Sequence, residues 1–296
     1  MVTARDAARH AAVLGSPVEH SLSPVLHEAG YAALGLEGWS YRRIECDEVR
    51  LPGLVRGLGP EWAGLSVTMP GKKAAVRFAD EVTDTARAVG AANTLVPLTL
   101  GGDGPRRWRA DCTDVAGVTG ALRAVGYRPA GGPGLVLGAG GTANAVVAAM
   151  AEFGLSGVTL VVRDAARAEE TVACAGRVGL DVEVVTFDRV SLRALAAEAD
   201  LVVSTVPAGA ADRHAEDLVV ARWLFDVVYA PWPTPVGTAV AGAGGRLVTG
   251  LDMLLHQAFG QFEQFTGRVA PREAMRDALR AATGNTLPLP LAPGDV

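Results

Sequence analysis

Cysteine is scarce in this sequence, and the three cysteines that it contains lie far apart. Cys46, Cys112 and Cys174 form no CxxC pair, and their number is odd. A disulfide framework needs paired cysteines, and a structural zinc site needs cysteine or histidine ligands at short, regular spacing. The sequence therefore predicts reduced thiols, no metal site and a cytoplasmic location.

Long apolar runs are missing as well. No stretch approaches the roughly 18 apolar residues that predict a membrane-spanning helix. The charged N-terminus, residues 1–10, lacks the apolar segment of a signal peptide. The net charge of -5 gives the chain no general attraction to nucleic acid or to an anionic membrane surface. We therefore expect a small-molecule partner, with no nucleic acid and no membrane involved, and any anionic ligand must be held by local groups.

Length and patterning predict a two-domain α/β protein. A chain of 296 residues is too long for one ordinary core. Short apolar strands alternate with helical stretches, an order typical of parallel sheets with crossover helices. We expect residues 1–115 to form an α/β domain with a mostly parallel sheet, and residues 116–250 to form a Rossmann-like domain.

Two features of the pattern fall outside the alternation of strands and helices. Strands predicted at residues 93–98 and 106–112 are expected to form a hairpin through the loop 101–105. Two final helices, predicted after residue 250, have no strand to pair with. We expect these helices to return to the first domain, so that residues 251–296 complete it.

A glycine-rich segment stands directly between a strand predicted at residues 135–137 and a helix of small residues. The segment consists of Gly138, Ala139, Gly140, Gly141 and Thr142. Glycine allows the backbone to turn tightly and to approach a pyrophosphate, and the helix start offers free N–H groups. The spacing is GxGG and not the full GxGxxG, so a tight turn without a ligand is the alternative. The strand before it and the helix after it favour dinucleotide binding.

The end of the second strand of this domain bears on which dinucleotide is bound. An acidic residue there suits the ribose hydroxyls of NAD, whereas arginine suits the 2′-phosphate of NADP. Arg163 and Arg167 follow Val162 and are four residues apart, so they can converge on a phosphate. Asp164 is a natural N-cap for the next helix, and it would favour NAD only if it faced the ribose. The sequence therefore favours NADP over NAD.

Ser21 and Ser23 precede the first predicted helix, and Pro24 fits the first helical position. Two hydroxyl groups at a helix start can bind a small carboxylate. The alternative is that Ser23 is the N-cap of the helix and binds nothing. The segment alone favours that alternative.

Lys72 lies in the first turn of a predicted helix, where the helix dipole and burial both disfavour the ammonium form. Both effects predict a lowered pKa for Lys72, which suits acid–base chemistry. A solvated pair with Lys73 is the alternative. Asp114 follows a strand, where it can pair with a lysine and accept a substrate hydroxyl, or cap the next helix. Asn93 begins a strand and is either a site residue or a turn residue.

Taken together, these segments resemble the shikimate dehydrogenase family in order and spacing, from Gly15 to Gln257. A chance match to all seven segments is hard to credit, so the resemblance favours the functional interpretation of each one. The matching segments are residues 15–27, residues 66–70 with Lys72, residues 90–95, Thr113 and Asp114 with Gly117, residues 138–141, Asp226 with Tyr229, and Gly250 followed by Met253, Leu254 and Gln257.

The resemblance implies a function and a set of roles. Members of the family reduce 3-dehydroshikimate to shikimate with NADPH, in aromatic amino-acid biosynthesis. Lys72 would be the catalytic acid–base and Asp114 would orient it. The substrate would contact Ser21, Ser23, Thr68, Asn93, Asp114, Tyr229 and Gln257. The cofactor would contact Gly138, Ala139, Gly140, Gly141, Thr142, Arg163, Asp164, Arg167, Val227 and Gly250.

The sequence departs from the family pattern at four positions, and two other functions stay open. The departures are Gly71 for a larger residue, Cys112 and Val162 for asparagines, and Asp164 for a threonine. The alternatives are an NAD-preferring quinate/shikimate dehydrogenase and a non-catalytic regulator that binds dinucleotide or shikimate. The presence of both Lys72 and Asp114 favours an enzyme, which we expect to be a monomer or a homodimer.

Overall fold

Two compact units make up the chain. One unit consists of Met1–Asp114 together with Leu254–Val296, and the other consists of Val115–Met253. The structure is a computed structural model, and it describes residues 8–98 and 106–292. In those ranges no helix is both long and apolar enough to cross a membrane.

The first unit is built on a six-stranded mixed sheet. Its strands are β1 (Arg9–Gly15), β2 (Trp39–Glu45), β3 (Trp62–Val67), β4 (Glu81–Val82), β5 (Thr94–Pro97) and β6 (Trp108–Asp111). They lie in the order β2-β1-β3-β5-β6-β4. The pairs β1–β2, β1–β3 and β4–β6 are parallel, whereas β5 is antiparallel to β3 and β6. The antiparallel β5–β6 pair agrees with the predicted hairpin, and the loop 101–105 expected to close it lies outside the described residues.

Helices from both ends of the chain belong to this unit. They are α1 (Ser23–Ala33), α2 (Leu51–Arg56), α3 (Lys72–Phe78), α4 (Asp84–Val89), most of α11 (Gly250–Thr266), and α12 (Arg272–Ala282). Helix α12 packs against α1. The apolar sides of the two last helices therefore pack against the N-terminal part of the chain.

The ring of His27 links α1 to the sheet and to α11. It is fully buried and stacks on Tyr41 of β2 with ring centroids 4.2 Å apart, and its centroid lies 5.6 Å from that of Phe265. Burial lowers the pKa of His27 to about 3, against a smaller raising contribution from Gln261. The ring is therefore neutral at neutral pH and belongs to the aromatic core.

The second unit contains a six-stranded sheet in which every pair is parallel. Its elements are α5 (Asp114–Ala124, whose first residue is in the first unit), β7 (Gly134–Leu137), α6 (Gly141–Phe153), β8 (Val158–Val162), α7 (Glu169–Val178), β9 (Val182–Thr186), α8 (Leu192–Glu198), β10 (Leu201–Ser204), α9 (Ala215–Leu218), β11 (Trp223–Asp226), α10 (Pro235–Gly242) and β12 (Arg246–Thr249). Its strands lie in the order β12-β11-β10-β7-β8-β9.

This order is that of a Rossmann sheet, with β7 as the first strand and the reversal of direction between β7 and β10. Strands β7 and β10 are buried along their whole length, as expected for a parallel sheet covered on both faces. One apolar core joins Leu135, Val202 and Leu224 of the sheet to Leu192 and Val236 of the helices. The predicted α/β class with a Rossmann-like sheet is confirmed.

Helix α10 is an element that the sequence pattern did not reveal. Its surroundings are rich in proline and glycine, which indicates a loop. Thr234, however, accepts a hydrogen bond from Gly237 N at 3.0 Å, and Pro235 occupies the first helical position. A threonine cap followed by proline is a helix start. Strand β11, for which the sequence predicts residues 223–229, ends at Asp226.

Candidate active site

Lys72 and Asp114 form an ion pair in the first unit. Lys72 is the first residue of α3 and Asp114 the first residue of α5, and the Nζ atom lies 2.5 Å from Oδ2. The two side chains are 22% and 8% exposed. The pair therefore lies mostly out of water, while the lysine keeps a partly open face that a ligand can reach.

The pKa of Lys72 differs from the sequence expectation. Burial acts to lower it, as predicted, but the nearby Asp114 carboxylate raises it by more, so the net pKa is above the ordinary value. The prediction of a lowered pKa was wrong because it counted the helix start and burial and left out the partner charge. The resting form of Lys72 is accordingly the ammonium.

Asn93 holds the aspartate from the other side. Its Nδ2 donates to Asp114 Oδ1 at 2.9 Å, and it also lies 2.9 Å from Thr113 Oγ1 and 3.2 Å from Gln257 Oε1. Its Oδ1 accepts from Thr113 N at 2.8 Å. An amide has two N–H donors, so these acceptors share them. The amide of Asn93 thus fixes the carboxylate that pairs with Lys72.

Gln261 holds the backbone of Asn93 by a hydrogen bond, and the sequence motifs did not predict this role. Its Nε2 donates to the Asn93 carbonyl at 2.9 Å and to Thr94 Oγ1 at 3.0 Å, and its Oε1 accepts from Ser66 Oγ at 2.7 Å. The side chain is 1% exposed. A signal was present, because Gln261 follows Gln257 by four residues and so lies on the same face of α11.

The serines before α1 occupy different positions from those expected. Ser23 is the first residue of the helix and Leu22 stands at the cap position, with no side-chain capping bond. The interpretation of Ser23 as an N-cap was wrong, because the chain enters the helix one residue earlier than the capping pattern suggests. Ser21 Oγ accepts from Ser23 N at 3.3 Å, and Arg43 donates to the Ser21 carbonyl at 2.6 and 2.9 Å.

Thr68 and Cys112 flank the elements that carry the ion pair. Thr68 follows the last residue of β3, and its N–H donates to Leu14 O at 2.8 Å. Cys112 is 3% exposed, and burial raises its pKa to about 12. The departure from asparagine at this position therefore places a neutral thiol, and no extra charge, beside the pair.

The glycine turn of the second unit leaves backbone donors open. Gly138 has a φ of +98°, a conformation that side chains rarely adopt. Helix α6 begins at Gly141 without a side-chain cap, so the first N–H groups lack a helical acceptor. A Cβ added to Gly140 or Gly141 would meet no atom within 4 Å in the described structure. The turn presents open space in front of free N–H groups, which suits a pyrophosphate.

Of the residues after β8, two arginines are exposed, and the aspartate between them bonds to its own backbone. Asp164 caps a short 3₁₀ helix, Ala165–Ala168, by accepting from Ala166 N at 3.0 Å. The predicted capping role of Asp164 is therefore confirmed. Arg163 and Arg167 are both exposed, and neither forms an ion pair within the described part of the chain.

Val227, Tyr229 and Gly250 lie together in the second unit. A Cβ added to Gly250 would fall 2.0 Å from Val227 O and 3.0 Å from Tyr229 Cδ1. Glycine is thus required at position 250 by packing alone. Burial raises the pKa of the Tyr229 phenol, which is neutral at neutral pH.

These features define a class of protein. A Rossmann-order sheet with an open glycine turn is typical of dinucleotide-binding oxidoreductases, and a partly exposed lysine beside a buried carboxylate can donate or accept a proton. The described residues contain no group of three or more metal-ligating side chains.

Comparison with known proteins identifies the family within this class. Residues 13–95 match the shikimate dehydrogenase substrate binding domain, and residues 250–280 match the shikimate 5'-dehydrogenase C-terminal domain. The shikimate dehydrogenase (NADP(+)) of Methylobacterium radiotolerans is 40% identical over 91% of this chain and 95% of that protein. The chain belongs to the shikimate dehydrogenase family.

Solved structures of the family share the fold. Mycobacterium tuberculosis shikimate dehydrogenase is 52% identical, covers 92% of this chain and 99% of its own, and superposes with a TM-score of 0.84. A Thermus thermophilus shikimate 5-dehydrogenase in complex with NADP(H) and shikimate is 35% identical, covers 93% and 99% of the two chains, and has a TM-score of 0.78.

The buried hydrogen bonds of Gln261 generate a stability prediction. Gln261→Leu removes three buried hydrogen bonds, with the Ser66 hydroxyl, the Thr94 hydroxyl and the Asn93 carbonyl, and each lost bond costs about 0.5–1.5 kcal/mol. We expect a loss of at least about 2 kcal/mol in the free energy of unfolding, measured with urea. Gln264→Leu is the matched control on the same helix, because Gln264 donates one bond, to Asp111 Oδ2 at 2.7 Å. Equal losses in the two variants would contradict a special role for Gln261.

Proposed function

We propose that this protein catalyses the reversible NADPH-dependent reduction of 3-dehydroshikimate to shikimate, in aromatic amino-acid biosynthesis. The observation that carries the proposal is the Lys72–Asp114 ion pair, 2.5 Å long and braced by Asn93. It occurs in a chain whose relatives are named shikimate dehydrogenase (NADP(+)). A proton donor and an adjacent carboxylate are the groups that reduction of a carbonyl requires of a protein.

We assign the substrate to residues 1–115 with 251–296, and the cofactor to residues 116–250. Support for this assignment comes from the Lys72–Asp114 pair in the first unit and from the open glycine turn at residues 138–142 in the second. A cytoplasmic location and a monomeric or homodimeric state stay predictions from the sequence.

Lys72 acts as the acid in the direction of reduction. Because Asp114 raises its pKa, the side chain is protonated at neutral pH and can give a proton to the carbonyl oxygen of the substrate. The reduced nicotinamide, when bound, would be the source of the hydride for the carbonyl carbon. In the reverse direction neutral Lys72 takes the hydroxyl proton, and Asp114 stabilises the ammonium that results.

Asn93, Thr113 and Gln257 are hydrogen-bonded next to this pair, and such polar groups suit a polyhydroxylated ring. We assign the substrate carboxylate to Ser21 and Ser23. We assign the ring hydroxyls to Thr68, Asn93, Asp114 and Gln257. Tyr229, as a further substrate contact, rests on the family resemblance.

NADP fits the second unit. The uncapped helix start and the open space at Gly140 and Gly141 would hold the pyrophosphate, together with Gly138, Ala139 and Thr142 of the same turn. Exposed Arg163 and Arg167 would hold the 2′-phosphate, while Asp164 turns toward its own backbone. Val227 and Gly250 are assigned to the nicotinamide end on the resemblance.

Cofactor preference and substrate range are tested in one assay. Shikimate oxidation, followed at the nicotinamide absorbance, should favour NADP over NAD by at least about tenfold in kcat/KM, because each arginine can add a charge-assisted bond of about 1.5–3 kcal/mol. Arg163→Ala should remove most of this preference and leave activity with NAD nearly intact. Arg177→Ala, in the last turn of α7, is the control. Equal values for NAD and NADP, or a higher value for quinate than for shikimate, would favour a quinate/shikimate dehydrogenase.

Removal of the lysine tests the acid–base assignment. Lys72→Ala should lower kcat about 10²- to 10⁴-fold, the range for a lost general acid–base, and should weaken shikimate binding much less. Lys73→Ala, one residue further along α3, makes the same chemical change and should leave kcat near normal. Near-normal turnover in Lys72→Ala would remove the residue from catalysis.

The ion pair predicts a shift in pH dependence. Shikimate oxidation needs neutral Lys72, so its kcat/KM should rise with pH toward the raised pKa of this side chain. Asp114→Asn removes the charge that raises the pKa and leaves the burial that lowers it. The rise should therefore occur at lower pH in this variant, although the maximal rate falls. Asp111→Asn is the control, and an unmoved profile in Asp114→Asn would show that the carboxylate does not set the pKa.

A further inference from the structure

A cavity lies in the second unit, and none of its lining residues is assigned to the proposed activity. It measures about 780 Å³. Four arginines line it together with Trp223: Arg128, Arg193, Arg222 and Arg246. The rest of the lining is small or apolar, and among the described residues that line the cavity none is acidic.

The cavity lies at the opposite edge of the sheet from the glycine turn. Trp223 begins β11 and Arg246 begins β12, and Arg246 N donates to Arg222 O at 3.0 Å. The glycine turn, residues 138–141, follows the carboxyl end of β7. Because all strands of this sheet are parallel, amino ends and carboxyl ends lie at opposite edges. A ligand in the cavity is therefore separate from the dinucleotide.

The guanidinium groups are positioned by the protein but not neutralised by it. Arg193 Nη1 donates to Glu216 O and Arg128 Nη1 donates to Tyr127 O, each at 2.9 Å. The Arg246 guanidinium stacks over the Trp223 ring at 5.1 Å. Across residues 8–98 and 106–292, none of the four arginines forms an ion pair with a carboxylate.

Four positive charges around one cavity, in a chain whose net charge is -5, make a local site for an anion. Each guanidinium has five N–H donors, so most donors remain for a ligand. The planar fork of arginine matches the oxygen atoms of phosphate in pairs. A bound anion would also relieve the repulsion among the four charges.

We propose that this cavity binds a small molecule with phosphate groups and at least two negative charges. Its volume lies within the range of small-ligand sites. More than one phosphate group is expected because a single phosphate can engage only some of the four arginines. Trp223, stacked under Arg246, gives the site an optical probe.

The test uses the full chain with saturating NADP, so that the dinucleotide site is filled. Inorganic pyrophosphate is titrated in, and binding is followed by calorimetry and by tryptophan fluorescence. We expect one site per chain with a submillimolar Kd. Arg193→Gln combined with Arg222→Gln should weaken it at least about tenfold, since charge-assisted bonds are lost. Both side chains are exposed, so the fold and the shikimate oxidation rate should be retained.

The control is a double variant in the first unit, Arg42→Gln combined with Arg87→Gln. It also removes two positive charges from exposed arginines. Arg87, like Arg193, donates to one backbone carbonyl, Val82 O at 3.1 Å. Three results would overturn the proposal: no binding of pyrophosphate, equal weakening in both double variants, or succinate binding as tightly as pyrophosphate. A change of sedimentation coefficient in the Arg193/Arg222 variant would also overturn it, because the cavity would then be a contact between copies of the chain.

Discussion

The ion pair between Lys72 and Asp114 is the constraint on which the first unit depends. A largely buried lysine and a buried aspartate each lose hydration, and their attraction repays that loss only when geometry is good and the remaining oxygen is hydrogen-bonded. Asn93 meets the second condition by donating to the free carboxylate oxygen at 2.9 Å. Removing either charge would leave the other charge buried without its partner. The two charged side chains and the Asn93 amide therefore depend on one another.

Asn93 in turn depends on parts of the chain far away in sequence. Gln257 and Gln261, both from α11, reach its side chain and its carbonyl, and Gln261 also joins Ser66 of β3. The return of α11 to the first unit therefore does more than cover an apolar surface. It supplies two buried amides that add hydrogen bonds to the Asn93 side chain and to the Asn93 carbonyl. Core packing and site geometry are linked through the same helix.

Local patterns predicted much of this molecule. The glycine turn and the strand Gly134–Leu137 before it follow from short-range rules, because a buried strand or a tight turn is encoded within a few residues. The sign of the Lys72 pKa shift does not, since it is set by a charge 42 residues away in sequence. Gln261 was missed for the same reason, as its partners lie on other elements. The family resemblance names Asn93 and Gln257 but not Gln261, and the structure shows that both glutamines contact Asn93.

The raised pKa of Lys72 also has a chemical consequence for the direction of proton transfer. A lysine held as ammonium is ready to give a proton, which matches reduction of a carbonyl, and it must first lose that proton to act in oxidation. Asp114 therefore keeps the donor charged, while its attraction also makes the proton harder to release. The hydrogen bond from Asn93 stabilises the carboxylate and draws part of its charge away from the lysine. The strength of that amide contact thus contributes to how acidic the Lys72 ammonium is, and the contacts of Gln257 and Gln261 with Asn93 hold the amide in place.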